Sequence, residues 1–460
     1  MTLTQRNRSP GSPLRSVMAT AFDATGRTSM VDVMQPNMTA SFDQRTLMDL
    51  DGFWSDPREV REGVFAQLRA SDELLFSEEV GLEIDGEFVI PPGRGYYSLV
   101  RHADVVEASK QPALFCSGEG SNIPDLPIEM REFFGSMISM DDPRHARLRR
   151  IVSKGFTPRM VEKLNDAVEV KAEAVIDSVA SKGSVDFVTE VAAKLPLALI
   201  CDLMGIPESE YDMVFDMTNI ILSNGDTEFI PEGANPIEAY LSAGGTLAQL
   251  MHTMAQNRRD NPTDDLTSAL VNAEVDGEKL TDDELASFFV LLCAAGNETT
   301  RNATSHGLLL LTENPDQRAL LMEDFDGRIA NTVEEIVRLS SPVIHFRRTV
   351  TQDGVQLGNH TFSEGDKVVL WYASANRDDR TFDRPHEMDI TRDASDHVGF
   401  GGPGPHFCLG AHFARRQLAT IFRGLLYRLP DIEVAGEPDY LCSNFINGIK
   451  HMTAEFTPTS

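Results

Sequence analysis

Positive charge is scarce in this chain: 41 Lys and Arg stand against 71 Asp and Glu, a formal net charge of −30 over 460 residues. A nucleic-acid partner is excluded, because a phosphate backbone needs a basic face. A local basic patch can still steer an acidic protein partner, and the candidates are Arg144, Arg147 and Arg150 in one segment and Arg415 and Arg416 in another. Cysteine is scarce too. The five (116, 201, 293, 408 and 442) are scattered and odd in number, which argues against a disulfide framework and for a reducing, cytoplasmic setting. No apolar run reaches about 18 residues, so no membrane span is expected, and no charged-then-apolar export signal opens the chain. Long low-complexity linkers and repeats are missing after residue 40. Residues 1–40, rich in Ser, Thr, Arg, Met and Pro without apolar periodicity, read as a mobile tail, leaving 41–460 as one domain. A 41% hydrophobic and 24% charged composition is that of a globular protein with enough chain to enclose a cofactor.

Helical patterns fill most of that domain. Asp141-Asp-Pro143 opens a basic helix to about Phe156, with further helices over 158–181 and 187–204 and another from Asn235-Pro236 to about Arg259. Thr281 and Glu284 form a capping box ahead of a stretch free of Pro until Asn314-Pro315, which predicts a helix of about 32 residues, roughly 48 Å, through the middle of the molecule. Strand signals are short: Val343–Val350, Val355–Thr361 and Lys367–Tyr372. The expected class is mainly α with small β-sheets.

The most informative run is Phe400-Gly-Gly-Pro-Gly-Pro-His-Phe-Cys-Leu-Gly410. It presents a single thiolate from a rigid loop just before an apolar helix, whose first amides can donate to it. Glycines there admit close backbone approach and positive φ, and prolines limit the loop's freedom. A flat, bulky group held by one thiolate, such as haem iron, suits that loop.

With Phe400, Gly404, the basic-capable His406, Cys408 and Gly410 in these places, the loop closely resembles the haem-ligand signature of the cytochrome P-450 superfamily. Phe400 lies eight residues before Cys408, one more than the general signature. A similar lengthening occurs in the bacterial branch acting on steroid side chains and methyl-branched lipids. The resemblance implies the triangular, helix-rich P-450 fold, haem b as cofactor and Cys408 as the axial ligand of its iron. It extends to Ala295-Gly-Asn-Glu-Thr-Thr300, which matches the superfamily's acid–alcohol motif: Glu298 takes the place of the acid and Thr299 that of the alcohol, the pair that brings protons to the oxygen being reduced. Leu291, Ala295 and Thr299 share a helix face, and the Thr299 hydroxyl can bond back to the Ala295 carbonyl. His145 and Arg149, Arg348 (with Arg347 as the lesser alternative) and His406 match the donors to the two haem propionates. Glu335 and Arg338 match the buried structural Glu–Arg pair. Its usual third partner, a basic residue after Phe382-Asp-Arg-Pro385, is not evident.

By the same resemblance the substrate cavity is lined by Leu291, Ala295, Val343, Ile344, Phe346 and the segment near Phe445–Ile446, under a roof at Phe115–Leu126. These side chains predict an apolar ligand, with His345 as the one candidate polar anchor. The expected activity is a monooxygenase that hydroxylates an unactivated C–H of a methyl-branched lipid, isoprenoid or sterol side chain near its terminus. Electrons would come from NAD(P)H through a ferredoxin and its reductase, since no flavin domain follows Leu429. A peroxide-using relative and a non-catalytic haem sensor or carrier are the alternatives; neither needs Thr299 for coupled turnover.

Overall fold

Helix boundaries follow chemistry local to each end. The computed structural model describes residues 46–459, except 49, 51, 85, 86, 157, 224, 275 and 276; the expected tail lies outside the described residues. Eight helices position the site. The first three are α1 (Arg144–Gly155), α2 (Pro158–Val179) and α3 (Lys194–Met204). Gly205 stops α3 in the left-handed region at φ 73°, which glycine adopts without a Cβ penalty. Next come α4 (Tyr211–Leu222) and α5 (Pro236–Asp260), the latter capped by the Asn235 side chain, which accepts from the Ile237 and Glu238 amides. Then α6 (Asp282–Glu313) opens with the expected capping box: Thr281 accepts from the Glu284 amide at 3.1 Å, and the Glu284 carboxylate accepts from the Thr281 amide at 2.9 Å. Last are α7 (Phe325–Ser340) and α8 (Ala411–Arg428).

The main sheet has five strands: β1 (Phe76–Ser77), β2 (Tyr96–Leu99), β3 (Phe115–Cys116), β4 (His345–Val350) and β5 (Lys367–Trp371), in the order β1-β2-β5-β4-β3. Only the β2–β5 pair is parallel, and Val368 of β5 lies opposite Arg348 of β4. β4 begins two residues later than Val343, where the sequence placed its start. The backbone of 342–344 is claimed elsewhere: Pro342 has no N–H and its carbonyl accepts from Asn447, Ile344 donates to Phe445, and Val343 bridges Ile446. The run from Val355 is a hairpin rather than one strand, turning at Gly358 with φ 56°.

Two apolar cores meet along α6. Its first half, Leu285 to Cys293, belongs to a core shared with α1, α3 and α5. Its second half, Ala303 to Leu311, belongs to one shared with α2, α7 and α8. Phe413, near the start of α8, packs against both. The polar stretch of α6 therefore falls at the seam between the cores.

The α4–α5 connection is tied to β6 (Ile449–His451) by charge. Lys450 reaches Asp226, Glu228 and Asp439 at 3.0–3.4 Å, and His451 bridges Asp186 (2.6 Å) and Glu228 (2.7 Å). The Asp186 contact is the main reason the His451 pKa is raised above 6.5. A raised folded-state pKa means stabilisation that is complete below the unfolded value and is lost as pH rises through the folded one. The melting temperature of His451→Gln is expected to fall below that of the parent most at pH under about 6, the gap closing in more alkaline buffer. A gap independent of pH would contradict this.

Candidate functional site

The Phe400–Gly410 loop is shaped by its own backbone. Cys408 donates its amide to the Phe400 carbonyl at 3.0 Å, and Phe407 donates to Gly404 at 3.2 Å. Gly404 has φ 147°, and a Cβ there would lie 2.4 Å from the Ser109 carbonyl oxygen, so a side chain is excluded on both counts. Cys408 is exposed, yet burial pushes its thiol pKa up, against the pull of the Gly410 and Ala411 amides and of Arg149 and Arg415. A Cβ added at Gly410 would meet nothing within 4 Å, so the space on that side of the cysteine is open.

Cation-capable groups converge beside the loop. The His145 and His406 rings lie 4.4 Å apart between centroids. Arg149 donates to the Pro405 and Phe407 carbonyls at 2.8 and 2.7 Å. Burial, then the charges of Arg348, His145 and Arg149, depress the His406 pKa to about 2. His145 is buried with Nε2 unpartnered, and its pKa is lowered by burial and by Arg149. The exposed Asp142 lies 3.5 Å from His145 Nδ1. Arg149 and Arg348 bring positive charge to this group and the two neutral imidazoles bring N–H donors, a set that fits the two propionates of haem. Arg347 is neutralised by Asp125 at 2.7 Å, whereas Arg348 donates to the Arg347 carbonyl at 2.7 Å and its charge is felt at His406, which makes Arg348 the better donor.

At the seam between the cores, Ala295 is exposed, the only such residue between Leu285 and Thr312. Leu291, Leu292 and Thr299 are half-buried beside it. The Thr299 hydroxyl donates to the Ala295 carbonyl at 2.9 Å, as expected. Gly296 serves packing instead: a Cβ there would lie 2.6 Å from Ile200 Cδ1 on α3. Glu298, 1% exposed, turns into the protein. It pairs with Arg301 and accepts from Asn302 Nδ2 at 2.9 Å, and Arg301 in turn donates to Asn219 of α4 at 2.8 Å. Glu298 Oε2 and both side-chain atoms of Asn297 are buried without a partner, which suits bound water.

Of the expected apolar lining, Val343 and Phe346 are half-buried, whereas Ile344 and Ile446 are each only 2% exposed. His345 is not a free anchor. Its Nδ1 meets the Asn444 carbonyl at 2.8 Å and its Nε2 meets Asn122 at 3.2 Å, and burial holds its pKa at about 4. A neutral, doubly engaged imidazole ties the wall together rather than greeting a ligand.

The Glu335–Arg338 pair is fully buried, and its missing third member is Arg392, whose Nε lies 3.3 Å from Glu335 Oε1. Directly after Pro385, where the family pattern has a base, the chain offers backbone, with the Pro385 and Glu387 carbonyls accepting from Arg338 at 2.7 and 3.3 Å. The candidate steering arginines largely have partners within the chain: Arg144 with Glu132, Arg147 with Glu284 and Glu278, Arg416 with Glu169. Arg415 is held by Glu334 at 2.5 and 2.8 Å and lies 4.3 Å from the centroid of Phe400.

A thiolate loop beside a cationic cleft and an opened central helix places the chain among known proteins. The family model for cytochrome P450 matches residues 238–430. A methyl-branched lipid omega-hydroxylase of Mycobacterium tuberculosis is 45% identical over 86% of this chain and 91% of its own length. A steroid C26-monooxygenase of Mycolicibacterium smegmatis is 38% identical over 79% of this chain and 84% of its own. The structure of a Mycobacterium marinum cytochrome P450 in complex with pseudoionone superposes with a TM-score of 0.82 at 41% identity, covering 92% of this chain and 99% of that one. The helix-rich architecture is accordingly the P450 fold, and the chain belongs to the cytochrome P450 family as a monooxygenase.

Proposed function

We propose that this monooxygenase hydroxylates the terminal carbon of a methyl-branched lipid or a sterol side chain, with electrons delivered singly by a ferredoxin and its NAD(P)H-dependent reductase. The observation that carries the substrate class is the opening at Ala295. Leu291, Val343 and Phe346, which by resemblance would line the same slot, are apolar and partly accessible, while His345 and Arg347 of the same strand are already engaged. A slot without a free polar anchor selects a hydrocarbon end. The two relatives named for omega and C26 oxidation support the same regiochemistry.

Haem, when bound, would supply the reductive activation of O2, each turnover taking up two electrons and two protons to leave one oxygen atom in the product and one in water. Cys408 would ligate the iron through its sulfur. Arg149 and Arg348 would neutralise the propionates, and His145 and His406 would donate hydrogen bonds to them. The Thr299 hydroxyl would hold a water beside the Ala295 turn, and Glu298 would take up protons at Oε2 and pass them on.

Titrating the ferric holoenzyme with lipids is expected to displace the iron-bound water, seen as a low- to high-spin change, for long methyl-branched acyl chains and sterols with intact side chains. Turnover with ferredoxin and reductase is expected to give terminal alcohols. Oxidation within the chain or on the ring system would overturn the substrate reading. Peroxide-driven turnover equal to that with ferredoxin, and indifferent to Thr299→Ala, would overturn the electron source.

A further inference from the structure

α6 carries a polar stripe of which the proposed reaction uses one member. Glu298, Asn302 and His306 are four residues apart, so they share a helix face, and each is at most 1% exposed. The lower two members grip one segment of backbone. Asn302 Oδ1 accepts the Ile449 amide at 3.3 Å, and His306 Nε2 meets the Asn447 carbonyl at 3.0 Å. Burial holds the His306 pKa at about 3, so the ring is neutral and donates to that carbonyl. Gly448 lets this backbone come close: a Cβ there would sit 3.0 Å from Leu441 and 3.7 Å from Asn302 Nδ2.

The gripped segment is also tied to the strand residues expected to line the slot, and so would be its wall. Ile446 bridges Val343, Phe445 accepts from Ile344 at 2.8 Å, and Asn447 donates to Pro342 at 3.0 Å. Asn302 thus has one hand on the substrate wall and the other on the acid, its Nδ2 donating to Glu298 Oε1 at 2.9 Å. That grip is one-sided. Oε1 receives both Arg301 and Asn302, whereas Oε2 receives no one. A carboxylate pinned at one oxygen swings the other about it, and a turn of the Asn302 amide moves the pin.

We propose that Asn302 is a positioning residue: through its amide, the seating of the Ser443–Ile449 wall by a lipid sets where the Oε2 oxygen of Glu298 stands. Proton supply is then in register with occupancy of the slot, and O2 is not reduced unproductively while the wall is displaced. The proposal rests on the reading of Glu298 as the proton-carrying acid.

The test compares holoenzymes carrying Asn302→Leu, Glu298→Gln and both, with Asn302→Ser replacing the leucine variant should that one not fold. Asn302→Leu is expected to keep the thiolate-type ferrous–CO band and to bind lipid, by spin-state titration, within about twofold of the parent. Product formed per O2 consumed is expected to fall about tenfold, less than the roughly 10²–10⁴-fold that a general acid contributes, because the acid is displaced and not removed. The infrared carboxylate change that accompanies lipid binding, identified by its loss in Glu298→Gln, is expected to vanish in Asn302→Leu as well. The double variant is expected to be no worse than Glu298→Gln alone, since the two act as one unit. Coupling unchanged in Asn302→Leu while Glu298→Gln is impaired would overturn this proposal alone, as would independent, multiplying losses in the double variant. Coupling unchanged in Glu298→Gln would overturn the relay and this proposal with it.

Discussion

Cys408→Ala is expected to fold and to lose the strongly red-shifted ferrous–CO Soret band completely, together with hydroxylation. The loop's shape does not depend on the sulfur. It is held by backbone bonds from Cys408 to Phe400 and from Phe407 to Gly404 and by the positive φ of Gly401 and Gly404, all of which survive the substitution. The far-UV circular dichroism should therefore match that of the parent, while the melting temperature falls because a ligand that stabilises only the folded state is bound less well. Alanine at Cys116, Cys201, Cys293 or Cys442 should leave the band in place. Cys201 and Cys293 are packed within the apolar core, where a planar ligand has no access to their sulfurs, whereas Cys408 is exposed. A red-shifted band retained by Cys408→Ala, or lost in one of the other four, would overturn the assignment of the ligand.

What the sequence made legible is what short stretches decide for themselves. The capping box of Thr281 and Glu284, the Asn235–Pro236 start and the Gly205 stop each satisfy orphan groups of one helix end from within a few residues. The thiolate loop is likewise a local object. Legibility failed where a residue answers to a distant one. Val343 looks like the start of a strand until Ile446 takes its backbone. His345 looks like an anchor until Asn444 and Asn122 occupy both nitrogens. Arg392 completes a pair 57 residues upstream, and nothing in the neighbouring Thr391 and Asp393 marks it. Hydrogen-bond demand in a buried setting is a three-dimensional quantity, and one chain read alone does not carry it.

That same demand makes Arg338→Met the most damaging substitution outside the cofactor site. Arg338 and Glu335 form a two-pronged pair, Nε to Oε2 and Nη2 to Oε1, both at 2.7 Å and both residues at 0% exposure. The guanidinium also serves the Asn376 and Pro385 carbonyls at 2.8 and 2.7 Å and lies 5.1 Å from the Phe382 ring centroid. Methionine fills much of the volume but leaves a buried carboxylate and three orphaned carbonyls, those of Asn376, Pro385 and Glu387. Breaking such a pair costs about 3–5 kcal/mol, against a total stability of about 5–15 kcal/mol, so the yield of soluble holoprotein should collapse. Arg338→Lys keeps the charge without the fork and should fall between. Arg392→Met should cost only about 1–3 kcal/mol, since Glu335 Oε1 keeps Arg338 and the Asp389 amide, the latter at 3.0 Å. Adding Glu335→Leu to Arg338→Met should recover part of the loss, because the charge left behind does more damage than the missing bond. Urea midpoints across the four variants check the ranking. An Arg338→Met protein as stable as Arg392→Met would show that the pair is incidental to the fold and that the carbonyls of the Asn376–Glu387 turn find their partners elsewhere.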